Sequence, residues 1–194
     1  MEKRSKGRLS FADIWATPLA QQVFSRPNTE HGAELAELWE SGRLPLEYLE
    51  AMLWPVWVGQ PDHRTAPSKQ QWEAMFRAVG YQEDGQPARR PWLPRRLYRG
   101  ASGDRRYGLS WTTNPSVARH FLTRHDDSAR VWTCVCHPSR ILASGRRGRD
   151  SEGEFVLDTT GLEISEVPTG RIPAEWRPNP RMSWRLRAGR GGNV

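Results

Sequence analysis

Cysteine is nearly missing from this chain: only Cys134 and Cys136 occur among 194 residues. Two thiols cannot make a disulfide framework, so a reducing, cytoplasmic setting is the simpler expectation. The pair lies two apart on a segment that reads as a strand, where side chains alternate and both thiols share one face. Cys134-Val135-Cys136-His137 has the look of a metal half-site, but no second ligand cluster accompanies it. Two packed thiols on a buried face are therefore expected, and no metal. Long apolar runs are also missing. None approaches the length of a membrane span, and the basic N-terminus lacks the apolar stretch of a signal peptide. Neither membrane insertion nor export by that route is expected. Apolar residues make up only 37%, and ten tryptophans partly compensate because each buries so much area. The length suits one ordinary domain with material to spare, and a monomer is expected.

Negative charge is scarce at both ends. Residues 1–10 carry Lys3, Arg4, Lys6 and Arg8 against Glu2 alone. Residues 168–194 carry Arg171, Arg177, Arg181, Arg185, Arg187 and Arg190 against Glu175 alone. The formal net charge of +7 thus belongs to the ends, and the body between them is close to neutral. Such arms attract nucleic acid and other polyanions without sequence preference, and they also serve as solubilising tails.

The first ninety residues read as helical. Leu35, Leu38 and Trp39 recur at helical spacing after Asn28-Thr29, and Gly42 closes the segment. Pro45 opens a second helix with Leu46, Leu49, Leu53 and Trp54, which Pro55 is expected to stop. Residues 59–67 read as a loop. Ser68 caps a third helix with Trp72, Met75, Phe76 and Val79 on one face and Gly80 at its end. Residues 82–91 look like a linker. Strands are expected at 95–99, 108–113, 130–137, 154–158 and 162–167. One helix interrupts them, capped by Asn114, opened by Pro115 and striped by Val117, Ala118, Phe121 and Leu122. After Pro168 the composition is that of a flexible basic tail. The class is α+β: a helical region over 1–90, a mostly antiparallel sheet core over 91–167, and the tail over 168–194.

Three strand-like segments carry chemistry. Leu97-Tyr98-Arg99-Gly100 ends on a guanidinium able to fork onto phosphate or ribose oxygens, beside a glycine that lets a planar ring approach the backbone. By itself it reads more readily as an exposed strand-end arginine beside a turn glycine. Gly108-Leu109-Ser110-Trp111-Thr112-Thr113 places the hydroxyls of Ser110 and Thr112 on one face and the indole on the other. The helix that follows brings Phe121 beneath the same crevice, although core packing also explains a Phe there. In Glu152-Gly153-Glu154-Phe155-Val156-Leu157 two carboxylates stand about 7 Å apart along a strand edge. They repel if both are ionised, which a solvated edge tolerates and an active site uses.

In this order, the segments resemble the mono-ADP-ribosyltransferase superfamily, in its branch with an Arg, Ser-Thr-Ser, Glu-x-Glu signature. The resemblance covers residues 95–167 and rests on Tyr98-Arg99-Gly100, on Leu109-Ser110-Trp111-Thr112-Thr113 and on Glu152-Gly153-Glu154. The middle element is similar to the Gly-x-Ser-Trp-Thr variant of small bacterial and phage proteins. What the resemblance implies is a two-sheet β core that uses NAD as co-substrate without a metal. By the same resemblance, Arg99 holds the phosphate or ribose and the Gly100 backbone bonds the nicotinamide amide. Ser110 orients Glu154, Thr112 supports the strand, and Phe121 lies on the cofactor side of the helix. Glu154 bonds the ribose 2′-hydroxyl as the sugar becomes an oxocarbenium ion, and Glu152 faces the incoming nucleophile.

The acceptor is read from charge. Arg146, Arg147 and Arg149 precede the carboxylates and would repel an arginine acceptor while suiting a polyanion. They also suit the cofactor's diphosphate. A macromolecular acceptor is expected, nucleic acid ahead of protein arginine. Two alternatives remain open: an NAD glycohydrolase with water as acceptor, and a non-enzymatic nucleic-acid binder using the tails with Trp176 and Trp184.

Overall fold

In the computed structural model, residues 11–60, 67–122, 129–145 and 153–168 are described. Most of the 59–67 loop, both basic ends with Trp176 and Trp184, and Glu152, Arg146, Arg147 and Arg149 lie outside them. The chain divides into two compact units, Met1–Arg89 and Arg90–Val194.

The first unit is helical: α1 (Phe11–Ile14), α2 (Pro18–Phe24), α3 (His31–Glu40), α4 (Leu46–Gly59) and α5 (Lys69–Val79). Ser68 and Gln71 form a reciprocal capping box at the start of α5, and Gly80 ends that helix with φ +76°. Pro55 does not stop α4, which runs through it to Gly59. The reason is what lies beyond the proline. Trp57 is buried edge-on against Trp72 (centroids 5.1 Å) and Phe76 (5.4 Å). A proline inside a helix costs about 3 kcal/mol. Burying a tryptophan returns about 4–6 kcal/mol at about 25 cal/mol per Å², enough to continue the helix. Glu34, buried on α3, accepts from Gln22 Nε2 at 2.6 Å and pairs with Arg26 at 2.9 Å. The stretch 82–91, expected as a linker, contains a hairpin of β1 (Gln82–Glu83) and β2 (Gln86–Pro87). Its turn is Asp84-Gly85, with φ +52° and +75°, the left-handed pair that a tight hairpin requires.

The second unit contains β3 (Arg95–Ala101), β4 (Ser110–Thr112), α6 (Pro115–Leu122), β5 (Arg130–Cys136), β6 (Ile141–Gly145), β7 (Glu154–Leu157) and β8 (Ser165–Glu166), with 3₁₀ turns at Gly103–Arg105 and Pro138–Arg140. Its strand order is β6-β7-β4-β3-β5-β8, and every neighbouring pair is antiparallel. The coarse α+β layout, helices before a mostly antiparallel sheet, is thus present. Strand β6 was not expected from sequence. Ile141, Leu142, Ala143 and Ser144 are all buried, so the run shows no alternation. The eighth strand is only two residues, far shorter than 162–167. Cys134 and Cys136 are both buried free thiols; burial pushes them up to about 12 and about 11 respectively. None of the described helices is long and apolar enough to cross a membrane.

Helix α6 lies against β3 at Gly100. A Cβ built there would run into the Ala118 carbonyl oxygen and stand 3.1 Å from Phe121 Cβ. Gly100 is therefore needed so that a helix backbone can meet the strand. We expect Gly100→Ala to lose about 1–3 kcal/mol in urea denaturation, as overpacking against a backbone does. Gly103→Ala, whose nearest neighbour is 3.9 Å away, is expected to stay within about 0.5 kcal/mol of the parent.

Candidate active site

Strands β3 and β4 share a single residue pair, Tyr98↔Thr112. Beyond it β3 runs on to Ala101 paired with β5, while β4 is held at Ser110 and Trp111 by β7. The backbone ladder is therefore interrupted where the three sequence segments meet. Arg99 spans the interruption. Its Nη1 donates to the Ser110 carbonyl at 2.7 Å and its Nε to the Arg105 carbonyl at 3.1 Å.

Register fixes the hydroxyl and carboxylate. Ser110 stands opposite Val156 and Thr112 opposite Glu154, so Ser110, Thr112 and Glu154 share a face. Ser110 and Glu154 are diagonal neighbours on it, within reach of side chains. Ser110 Oγ donates to Glu154 Oε1 at 2.7 Å. Trp111 and Phe155, also opposite each other, are buried on the other face. Thr112 turns its hydroxyl to the chain: Oγ1 accepts from Asn114 N at 3.0 Å, and Asn114 Oδ1 accepts from Ser116 N at 2.9 Å, starting α6.

The charge of Arg99 sits in an unusual place. Desolvation brings its pKa down to about 10, against an opposing pull from Glu154 and a smaller like-charge push from Arg105. It is still protonated at neutral pH. Two of its five N–H donors are engaged by carbonyls, and its Nη2 end lies beside Gly108. A half-buried cation next to a carboxylate suits an anion whose neighbouring atoms develop positive charge.

The loop from Ser102 to Leu109 is built around this guanidinium. Arg105 O also accepts from Gly108 N at 3.1 Å, and Trp111 Nε1 donates to Gly108 O at 2.8 Å. Arg106 lies 4.8 Å from the Tyr107 ring centre and 5.6 Å from that of Trp132, and donates to Gly103 O at 2.9 Å. Gly108, which opens the Ser110 segment in the sequence without a role of its own, makes room for the Arg99 side chain. A Cβ there would collide with the Arg99 guanidinium, its Cζ standing only 2.5 Å away. The signal was present, a glycine two before Ser110, but only the fold shows which side chain needs the space.

Arg99, Ser110 and Glu154 are thus brought together, with Thr112 on the turn that follows. Gly100 and Phe121 sit where α6 meets β3, and Phe121 is half-buried. At Gly100 the space beside the strand is filled by α6 rather than open to a ring. Gly153 has φ +53°, so the chain is not extended there, and the alternation argument for one strand face begins only at Glu154. Glu152, Arg146, Arg147 and Arg149 are outside the described residues. Comparison with known proteins finds no matching family model, no matching curated protein and no matching solved structure.

Because Gly108 does not have a left-handed φ, alanine there disturbs only the guanidinium. We expect Gly108→Ala to keep its circular dichroism spectrum yet lose about 1.5–3 kcal/mol in urea titration, the worth of a hydrogen bond to a charged group. A variant as stable as the parent would mean that Arg99 does not hold β3 to β4.

Proposed function

We propose that the chain is an NAD-dependent mono-ADP-ribosyltransferase that moves ADP-ribose to a macromolecular acceptor. The observation that carries this reading is the 2.7 Å bond from Ser110 to Glu154, with Arg99 anchored on the carbonyl of that same serine. Three residues far apart in sequence, ordered as in the superfamily the chain resembles, meet at one interruption of one sheet. The finer expectation of a two-sheet core draws support from the same place, since one residue pair joins β6-β7-β4 to β3-β5-β8 among the described residues.

The residues fit a dinucleotide. The remaining donors of Arg99 take diphosphate or ribose oxygens. Ser110 holds Glu154 by Oε1, and the carboxylate so held accepts from the ribose 2′-hydroxyl. Glu154, so oriented, stabilises positive charge on the ribose as the C1′–N bond to nicotinamide breaks and its electron pair leaves with the ring nitrogen. Glycosidases solve the same electrostatic problem with a carboxylate. The acceptor then forms its bond to C1′ and gives up its proton, a task the resemblance assigns to Glu152. Thr112 and Phe121 hold the α6 side of the site, and Gly100 lets α6 pack on β3 there.

Purified protein is expected to release nicotinamide from NAD. Glu154→Gln should keep NAD affinity within about threefold and lose roughly 10²–10³ of the rate, as removal of a preorganised electrostatic group does. Arg99→Lys, a point charge unable to span two carbonyls and a phosphate, should instead weaken NAD binding at least tenfold. Unchanged turnover in Glu154→Gln would end the assignment.

A further inference from the structure

The segment Pro91-Trp92-Leu93-Pro94 enters β3 and plays no part in the chemistry above. Trp92 is 85% exposed and Leu93 52% exposed. The next most exposed described tryptophan, Trp15, reaches only 46%. The bend is tethered on both sides: Arg90 Nε donates to the Ile141 carbonyl at 3.0 Å, and Arg95 starts the ladder opposite Cys136. Proline on each side of the apolar pair restricts the backbone further. The indole is therefore presented on a restrained bend, which lowers the ordering cost of using it for binding.

Charge says what it would bind. Between Asp84 and Asp104 the sequence contains five arginines and no carboxylate. Of these, Arg90 and Arg96 are exposed on either side of Trp92. Arg96 lies opposite Val135, itself 56% exposed, so the charged and apolar surface continues onto β5. A protruding aromatic ring on a segment with exposed arginines before and after it is what single-stranded nucleic acid requires: a face for a base and cations for its phosphates. An apolar protein groove would accept Leu93 as readily as Trp92 and would have no use for the exposed arginines.

We propose that the Trp92 bend docks single-stranded nucleic acid, which makes nucleic acid the acceptor class of the reaction above. The docking rests on the bend's own residues, and its meaning as an acceptor site rests on the transferase reading. Strand β3 connects the two, with Trp92 before its first residue and Arg99 four residues beyond that, about 13 Å along the strand.

The test uses the full chain at physiological salt, with fluorescein-labelled single-stranded DNA and RNA 15-mers and the matching duplex. Trp92→Ala is expected to weaken binding to the single strands by roughly 5- to 150-fold, the range for loss of one stacked base. Trp92→Phe should retain most of the affinity, Trp92→Leu should not, and the duplex should bind less tightly than either strand. Nicotinamide release without acceptor should be the same in all these variants. Equal affinity of Trp92→Ala and the parent would overturn the proposal, as would full affinity in Trp92→Leu. Transfer of label from NAD to protein but never to an oligonucleotide would overturn the acceptor assignment. If Trp92 governs oligonucleotide binding while the parent cleaves no NAD, the transferase reading falls and the docking site stands.

Discussion

A desolvated guanidinium set across a break in a β-ladder is the constraint on which the second unit turns. Where β3 and β4 stop pairing after Tyr98↔Thr112, backbone groups lose their regular partners, and buried carbonyls without donors are costly. Arg99 supplies donors to Ser110 O and Arg105 O. That settles two requirements with one side chain: the interruption is bridged, and a partly desolvated cation is held beside Glu154. The lowering of its pKa to about 10 records the cost. A group whose folded pKa lies below its unfolded value weakens the fold at every pH where it is charged. Relief comes only as pH rises through about 10, far from neutrality. Hydrophobic residues would have filled the gap without this penalty. An anion seated against the remaining donors would offset it, so a cation kept at such a position argues for a ligand.

The carboxylate depends on register in the same way that the cation depends on the gap. Ser110 reaches Glu154 because β4 and β7 place them diagonally on one face, with Thr112 opposite Glu154. A slip of one residue would send Glu154 to the face occupied by Trp111 and Phe155. Those two buried rings specify the register, since the slip would bring them out toward the hydroxyl side. The apolar partners Trp111 and Phe155 thus position the polar ones, although neither touches a reacting atom.

How much was legible follows from which interactions are local. The cap at Ser68, the turn at Gly80 and the Asn114-Pro115 start of α6 are written in adjacent residues, and each helix formed where its signals stand. The order of Arg99, Ser110 and Glu154 was legible as a pattern of residue types. Their meeting was not, because it depends on the strand order β7-β4-β3. Pro55 misled because the local cost of a proline was weighed without the burial of Trp57 beyond it. Strand β6 was hidden by being buried on both sides, which erases the alternation that marks a strand. The Asp84-Gly85 hairpin signal was present and passed over among the glycines and prolines around it. Gly108 and Gly100 look alike in sequence, but one makes room for a side chain and the other for a helix backbone.

That last difference bears on how the site is held. Gly100 lets α6 pack directly on β3, and Thr112 and Asn114 tie the start of α6 to the end of β4. The helix therefore joins the two strands on the far side of the gap that Arg99 spans. The spacing of β3 and β4 there is set by covalent connection through α6 and by hydrogen bonds through the guanidinium. Preorganisation of this kind is what electrostatic stabilisation of a developing charge needs, because dipoles that must move during the reaction lose most of their effect. The short loop from Ser102 to Leu109 closes the remaining side by its own hydrogen bonds and by Arg106 against Tyr107 and Trp132. Around Arg99 the rigidity thus comes from neighbours outside the trio of Arg99, Ser110 and Glu154.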